Sequence, residues 1–133
     1  MNEYIKNFDL WNDKKKLIEA ESQRVSTFSE KEIWWVFLGL NIGREIDSKN
    51  QDYIRPALII KKLSLDTLWI IPISRTTKKG SYFHTVNLEY RKQTILLLQL
   101  RMISAKRLLK RIVEIDELEF ITIIDKIKCL LPK

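Results

Sequence analysis

Residues 32–38, Glu-Ile-Trp-Trp-Val-Phe-Leu, constrain the fold more than any other run in the chain. They are rich in aromatic and β-branched side chains and stop at Gly39, a pattern that predicts a strand. At period two, Ile33, Trp35 and Phe37 point one way and Trp34, Val36 and Leu38 the other. Neither face is polar, so this strand has to be covered on both sides.

The rest of the chain supplies short elements to do the covering. Residues 5–22 place Phe8, Trp11, Leu17 and Ile18 at near-helical spacing among Asp, Lys and Glu, predicting an amphipathic helix with a narrow apolar face. Residues 23–29 read as its linker. Beyond a polar loop at 39–56, strands are predicted at 57–62 and 68–74. Pro72 cannot donate to a ladder, so it should end the second of these or confine it to an edge. Residues 82–88 alternate as a strand, and 93–103 read as one long, mostly buried strand. A single helical turn at 104–109 and a short strand at 111–115 follow. Asp116 with Glu119 has the form of a capping box, starting a terminal helix that carries Phe120, Ile123, Ile124, Ile127 and Leu131 inward. A helix, about six short strands and a second helix predict a mainly β (α+β) fold, a small, strongly curved sheet or barrel rather than alternating βαβ units. At 133 residues this is one domain with one appended element. The expected division is an N-terminal helical extension and linker at 1–29 and a principal domain at 30–133.

The only cysteine, Cys129, can form no internal disulfide and sits in an apolar helical pattern, which suits a reducing cytoplasm. The first 30 residues carry charge throughout, and no run approaches the roughly 18 apolar residues of a membrane span. A soluble, cytoplasmic protein with no membrane partner is expected. The net charge is +7. Residues 1–30 hold five Lys/Arg against six Asp/Glu, whereas residues 75–111 hold ten Lys/Arg against the single acid Glu89. Two readings of this field stand: a surface that concentrates a polyanion such as phosphate backbone, and ordinary solvated surface.

The loop at 39–56 reads as the wall of a nucleic-acid site. Gly39 and Gly43 fall inside it, where positive φ or close approach to a ligand costs least. At about 16 residues it is longer than compact domains usually tolerate, which marks a functional lid or an insert. Glu45 and Arg55 stand at its ends, and Pro56 biases the preceding backbone toward extended geometry. That places Arg55 at a strand entrance. A basic turn at 75–80 brings Arg75, Lys78 and Lys79 together.

Five blocks then carry a resemblance: Ile-Trp-Trp-Val-Phe-Leu-Gly, Asn-Ile-Gly-Arg-Glu, Arg-Pro-Ala-Leu-Ile-Ile, Ile-Pro-Ile-Ser, and Leu-Leu-Leu-Gln-Leu-Arg-Met-Ile-Ser with Lys-Arg-Leu. In order and spacing, over residues 32–130, the chain resembles the MazF/PemK toxins. The resemblance implies a Src-homology-3-like barrel of the MazF/PemK/CcdB type and a homodimer. It also implies an endoribonuclease without metal or cofactor that cuts single-stranded RNA at short sequences, leaving cyclic phosphate and 5′-hydroxyl ends. A cognate antitoxin, whose acidic segment occupies the RNA groove, is the implied partner, with DNA binding in its company. The family's catalytic arginine falls on Arg55, its catalytic threonine on Ser74 and the acid of its Gly-x-Glu motif on Glu45. Its Gln-x-Arg pair falls on Gln99 and Arg101. The expected RNA contacts are these two with Arg44, Arg75, Lys78, Lys79 and His84. The leading helix resembles an extension carried by one branch. Ser74 departs from the family by losing a methyl group that would restrict its rotamer. Phe37, Met102 and Ser104 stand where the family has a polar residue, Thr and Asp.

Metal-free cleavage by internal attack needs removal of the 2′-hydroxyl proton, protonation of the leaving 5′-oxygen and donors for the charge that builds on phosphorus. His84 is the only histidine, so a two-histidine acid/base pair is impossible, and one His with one Cys makes no zinc site. Arg55 suits the electrostatic task, because a planar five-donor fork holds two phosphate oxygens at once. As a base it is poorly suited, since arginine stays protonated at neutral pH. Glu45 is left as the candidate base, and Ser74 as the group that orients or donates to the phosphate. Competing readings stand beside these. Arg55 can be an ion-pair partner of Glu45, Asp47 or Asp52, Ser74 a strand-end cap, and His84 a packing residue. Tyr82, Phe83 and the paired tryptophans are candidates to stack on bases, with core packing the competing reading for the tryptophans. At the level of the whole protein, the alternatives to a nuclease are a non-catalytic relative that binds a protein such as DNA gyrase, and an inactive relative whose leading helix lies across its own groove.

Overall fold

The computed structural model describes residues 5–25, 27–47 and 53–132. Helix α1 spans Phe8–Ala20, opened by Asn7, whose side chain accepts from the Leu10 amide at 3.1 Å. Seven strands follow: β1 (Glu32–Phe37), β2 (Ile54–Lys62), β3 (Thr67–Ser74), β4 (Phe83–Leu88), β5 (Arg91–Leu96), β6 (Arg101–Ser104) and β7 (Leu108–Glu114). Helix α2, Glu117–Leu130, closes the chain. The strands form one antiparallel, curled sheet in the order β4-β5-β3-β2-β1-β7, with β6 also paired to β3. The result is a mainly β half-barrel with a helix from each end of the chain, the expected fold class.

The two-sided character of β1 decides where the cores lie. Trp34, Val36 and Leu38 enter one cluster with Phe28, Ala57, Ile59, Leu68, Ile70 and Leu108. On the opposite side Ile33 joins Leu58, Ile71, Ile73 and Ile95 against Ile123 of α2, while Phe37 joins Trp11 and Ile18 of α1. Trp35, between Ile33 and Phe37, belongs to neither cluster and stays partly exposed. At about 25 cal/mol per Å² of apolar area buried, these clusters supply the main drive to fold. Among the described residues no helix is long and apolar enough to cross a membrane.

Several expectations need correction. Residues 93–103 do not form one strand. β5 and β6 run along the same edge of β3, pairing Ile95 with Ile73 and Arg101 with Ile70. Five intervening residues on one side therefore face two on the other, and the excess of three is the 3₁₀ turn Leu97–Gln99. The unbroken run of Ile and Leu gives no sign of this, because the break is imposed by β3. Pro72 neither ends its strand nor lies at the border of the sheet. It pairs with Ala57 of β2 and falls between Ile70 and Ile73, where β3 changes partner from β6 to β5. The strand predicted at 111–115 is longer, Leu108–Glu114, following the 3₁₀ turn Ala105–Arg107. Of the apolar face expected of the first helix, only Trp11 and Ile18 are buried, and Phe8 and Leu17 are exposed. In α2, Asp116 caps the Glu119 amide at 2.8 Å and Ile123 is buried, but Leu131 lies beyond the helix in solvent.

Candidate active-site cleft and nucleic-acid interface

The register of β2 on β3 builds the first site. Ala57 pairs with Pro72 and Leu58 with Ile71, and carrying that register on by two residues sets Arg55 opposite Ser74, on one face of the sheet. Both line a cleft of about 300 Å³ with Trp35, Ile54, Pro56, Arg75 and Thr76. The Arg55 guanidinium is held at two donors: Nε donates to the Asp47 carbonyl at 2.8 Å and Nη1 to the Ile73 carbonyl at 3.0 Å. Burial is the largest influence on its pKa and pulls it below the ordinary arginine value. Asp47 opposes that pull and Arg75 adds to it. Ser74 is buried, and its Oγ accepts from the Thr76 amide at 3.2 Å. Thr94, fully buried in β5, donates to the Thr76 carbonyl at 2.8 Å and accepts from the Lys78 amide at 3.1 Å. One threonine thus pins the basic turn behind Ser74. The Lys78 ammonium lies 5.6 Å from the Phe83 ring centre, and Lys79 is exposed.

A second cleft, of about 570 Å³, lies between the loop after β1 and the 3₁₀ turn, lined by Asn41, Arg44, Glu45, Ile46 and Leu98 through Arg101. Gln99 ties its walls together. Its Oε1 accepts from the Ile46 amide at 2.7 Å and its Nε2 donates to the Arg44 carbonyl at 3.5 Å. Gln99 and Arg101 do share one groove wall, although the turn, and not strand alternation, puts them there. Glu45 uses its carboxylate to close its own turn, accepting from the Ile42 amide at 3.0 Å.

The structure therefore brings Arg55, Ser74 and Arg75 into one cleft, and Arg44, Glu45, Gln99 and Arg101 into the other. It does not put Glu45 with Arg55. The consecutive residues Ile46 and Asp47 divide the two, one facing the second cleft and the other bonded to Arg55. Asp47 meets Arg55 through its backbone carbonyl rather than as an ion pair, its carboxylate lying 2.9 Å from the Lys6 ammonium, and Asp52 lies outside the described residues. His84 stands in neither cleft. Its Nε2 is 3.3 Å from Glu119 and its Nδ1 accepts from Lys126 at 2.9 Å, so α2 takes up both ring nitrogens. Trp34 is core, with its indole nitrogen donating to Glu32 at 3.1 Å. Trp35, by contrast, walls the Arg55 cleft. Thr76 and Thr94 escaped the sequence reading, although a Gln-Thr pair inside an apolar strand was a signal that something polar had to be satisfied there. Arg107 escaped too. Its Nη1 donates to the Phe37 carbonyl at 2.9 Å, and burial, then Arg101, lowers its pKa.

Residues 29–131 match the model of the family described as PemK-like, MazF-like toxin of type II toxin-antitoxin system. Two solved structures share the fold. The crystal structure of MazF from Deinococcus radiodurans is similar with a TM-score of 0.62 at 16% identity, over 77% of this chain and 94% of that one. The Mycobacterium tuberculosis toxin MazF-mt6 is similar with a TM-score of 0.53 at 18% identity, over 65% of this chain and 94% of that one. No curated protein matches the chain.

Proposed function

Because the chain belongs to the PemK-like, MazF-like toxins of type II toxin-antitoxin systems, we propose that it is a sequence-specific, metal-independent endoribonuclease acting on single-stranded mRNA. The observation that carries this reading is the convergence of Arg55 and Ser74 in one cleft beside Arg75. A guanidinium held at two donors on backbone carbonyls is preorganised, so its field costs little rearrangement when charge builds on phosphorus. Arg55 stabilises the pentavalent phosphate and gives a proton toward the leaving 5′-oxygen, a role eased by its lowered pKa. Ser74, accepting from Thr76, is left with its own hydroxyl proton to donate to a phosphate oxygen.

Glu45 is reassigned. In the second cleft, with Arg44, Gln99 and Arg101, it faces the RNA one step from the scissile link, as an acceptor for base edges rather than as the base acting beside Arg55. Trp35 offers a partly exposed ring for stacking at the first cleft. The same reading brings a second copy of the chain and an acidic antitoxin segment as partners, the antitoxin segment competing with RNA for the basic clefts. Residues 1–29 form the extension and 30–133 the toxin domain.

The test is incubation of the purified protein with a long single-stranded RNA in EDTA. Discrete fragments ending in cyclic phosphate are expected. Intact RNA together with inhibited gyrase supercoiling would overturn the nuclease in favour of the protein-binding alternative. Arg55→Ala should lower kcat by about 100- to 1,000-fold, corresponding to about 2.7–4 kcal/mol of lost transition-state stabilisation.

A further inference from the structure

The leading helix is wired to Arg55. Lys6, one residue before the Asn7 cap of α1, places its ammonium 2.9 Å from the Asp47 carboxylate and also donates to the Asn41 carbonyl. Asp47 is only 4% exposed. Its Oδ1 accepts from the Asn41 amide at 2.5 Å, and its backbone carbonyl is the one that receives Arg55 Nε. A second tie runs through the helix itself. Trp11 lies against Gly39, so closely that a Cβ built there would fall 2.1 Å from its ring, and its ring centre is 5.2 Å from that of Tyr53. Gly39 and Tyr53 both have positive φ, +67° and +58°, and the Gly39 amide donates to the Tyr53 carbonyl at 3.2 Å. The extension thus clamps the two ends of the loop with Trp11 and grips its Asp47 with Lys6.

We propose that Lys6, acting through Asp47, is a positioning residue for Arg55, which makes the N-terminal segment part of the active-site machinery. The physical reason is the burial of Asp47. A carboxylate with so little water demands a cation, and without one the segment must open or rearrange to hydrate it. Either response moves the carbonyl that holds Arg55 Nε. The charge is partly buried on both sides, so salt screens it weakly. Being coupled to the reacting geometry while neither Lys6 nor Asp47 lines either cleft, the pair acts on turnover rather than on RNA capture.

This proposal rests on the nuclease reading for its kinetic arm but not for its spectroscopic one. In the full-length chain, Lys6→Met keeps the aliphatic stem and removes the charge. Exchange of the Arg55 Nε proton with solvent, followed by NMR, should become at least about tenfold faster, and kcat on a short RNA should fall about tenfold with KM within twofold, because small displacements of a catalytic group are costly. Lys6→Arg should restore both. Lys6→Met/Asp47→Asn removes the stranded charge that would drive the rearrangement, so its exchange and turnover are expected to return most of the way to those of the parent. Unchanged exchange in Lys6→Met overturns the proposal, as does faster exchange with unchanged kcat or a double variant as slow as Lys6→Met. If the parent cuts no RNA, the proposed function falls and the exchange measurement alone decides the positioning role.

Discussion

Arg55 and Ser74 were legible as a pair because each is tied to a local backbone signal, Arg55 to the proline that follows it and Ser74 to the end of an Ile-Pro-Ile run. Their consequences for pH and for stability differ. Arg55 works charged, and burial lowers its pKa, so its contribution is present at neutral pH and is lost as pH rises through a value below that of an ordinary arginine. Among the described residues no histidine or carboxylate lines its cleft, and on the proposed mechanism the rising limb is loss of the 2′-hydroxyl proton to solvent base. A profile of kcat against pH should therefore climb from neutrality and turn over earlier than exposed arginine would allow. A profile that is bell-shaped around pH 5 to 6 would return the work to a carboxylate such as Glu45. Ser74→Ala removes both the donor toward phosphate and the acceptor of the Thr76 amide. It should lower kcat by about 100-fold and stability by about 1 kcal/mol, read by cleavage kinetics and by urea denaturation. Ser74→Thr should retain activity. Glu45 and His84 lie apart from the Arg55 cleft for different reasons: the Glu45 carboxylate turns back to the Ile42 amide three residues earlier, a local contact, whereas the His84 partners Glu119 and Lys126 come from α2 and are set by tertiary packing.

At the scale of elements, strand β1 and the capped helix α2 follow from periodicity and a single cap, both local properties. The break between β5 and β6 does not, because it arises from a mismatch in length between two segments paired to the same edge of β3. That mismatch creates the turn holding Gln99, and so the second cleft exists only as a product of tertiary pairing. Gln99→Leu leaves the Ile46 amide without its acceptor. It should speed amide exchange across residues 41–47 and weaken RNA binding while leaving the melting temperature within a few degrees, a difference that NMR and thermal denaturation can separate. Gly39 is the hinge of the other device. Gly39→Ala places a methyl inside the Trp11 ring and forces a side chain onto a φ of +67°. A loss of at least about 1–3 kcal/mol is expected, together with a red shift of Trp11 fluorescence as α1 undocks. A Gly39→Ala protein as stable as the parent would show that α1 does not dock as described.

For the molecule as a whole, charge that is contiguous in sequence is divided in space. Of the basic residues between 75 and 111, Arg75 enters the first cleft and Arg101 the second, but Lys106 holds the Glu19 carbonyl at 2.7 Å, Arg107 the Phe37 carbonyl and Arg111 the Glu32 carboxylate at 3.0 Å. RNA affinity should therefore fall with salt less steeply than ten free cations would imply, and Arg101→Ala should reduce the slope of log K against log salt by about 0.7, measured by titration across potassium concentrations.

The sequence alone determined most of the segments that become strands and helices, because alternation, β-branching and the Asp116 cap act within a few residues of one another. It also carried the family resemblance, since that is written in blocks of adjacent residues. Only the tertiary structure decided which functional groups meet. It set Arg55 opposite Ser74 through the β2–β3 register, separated Glu45 from both, and brought Lys6 onto Asp47 across the length of the loop. Those are contacts between segments whose separation in the chain bears no relation to their distance in space.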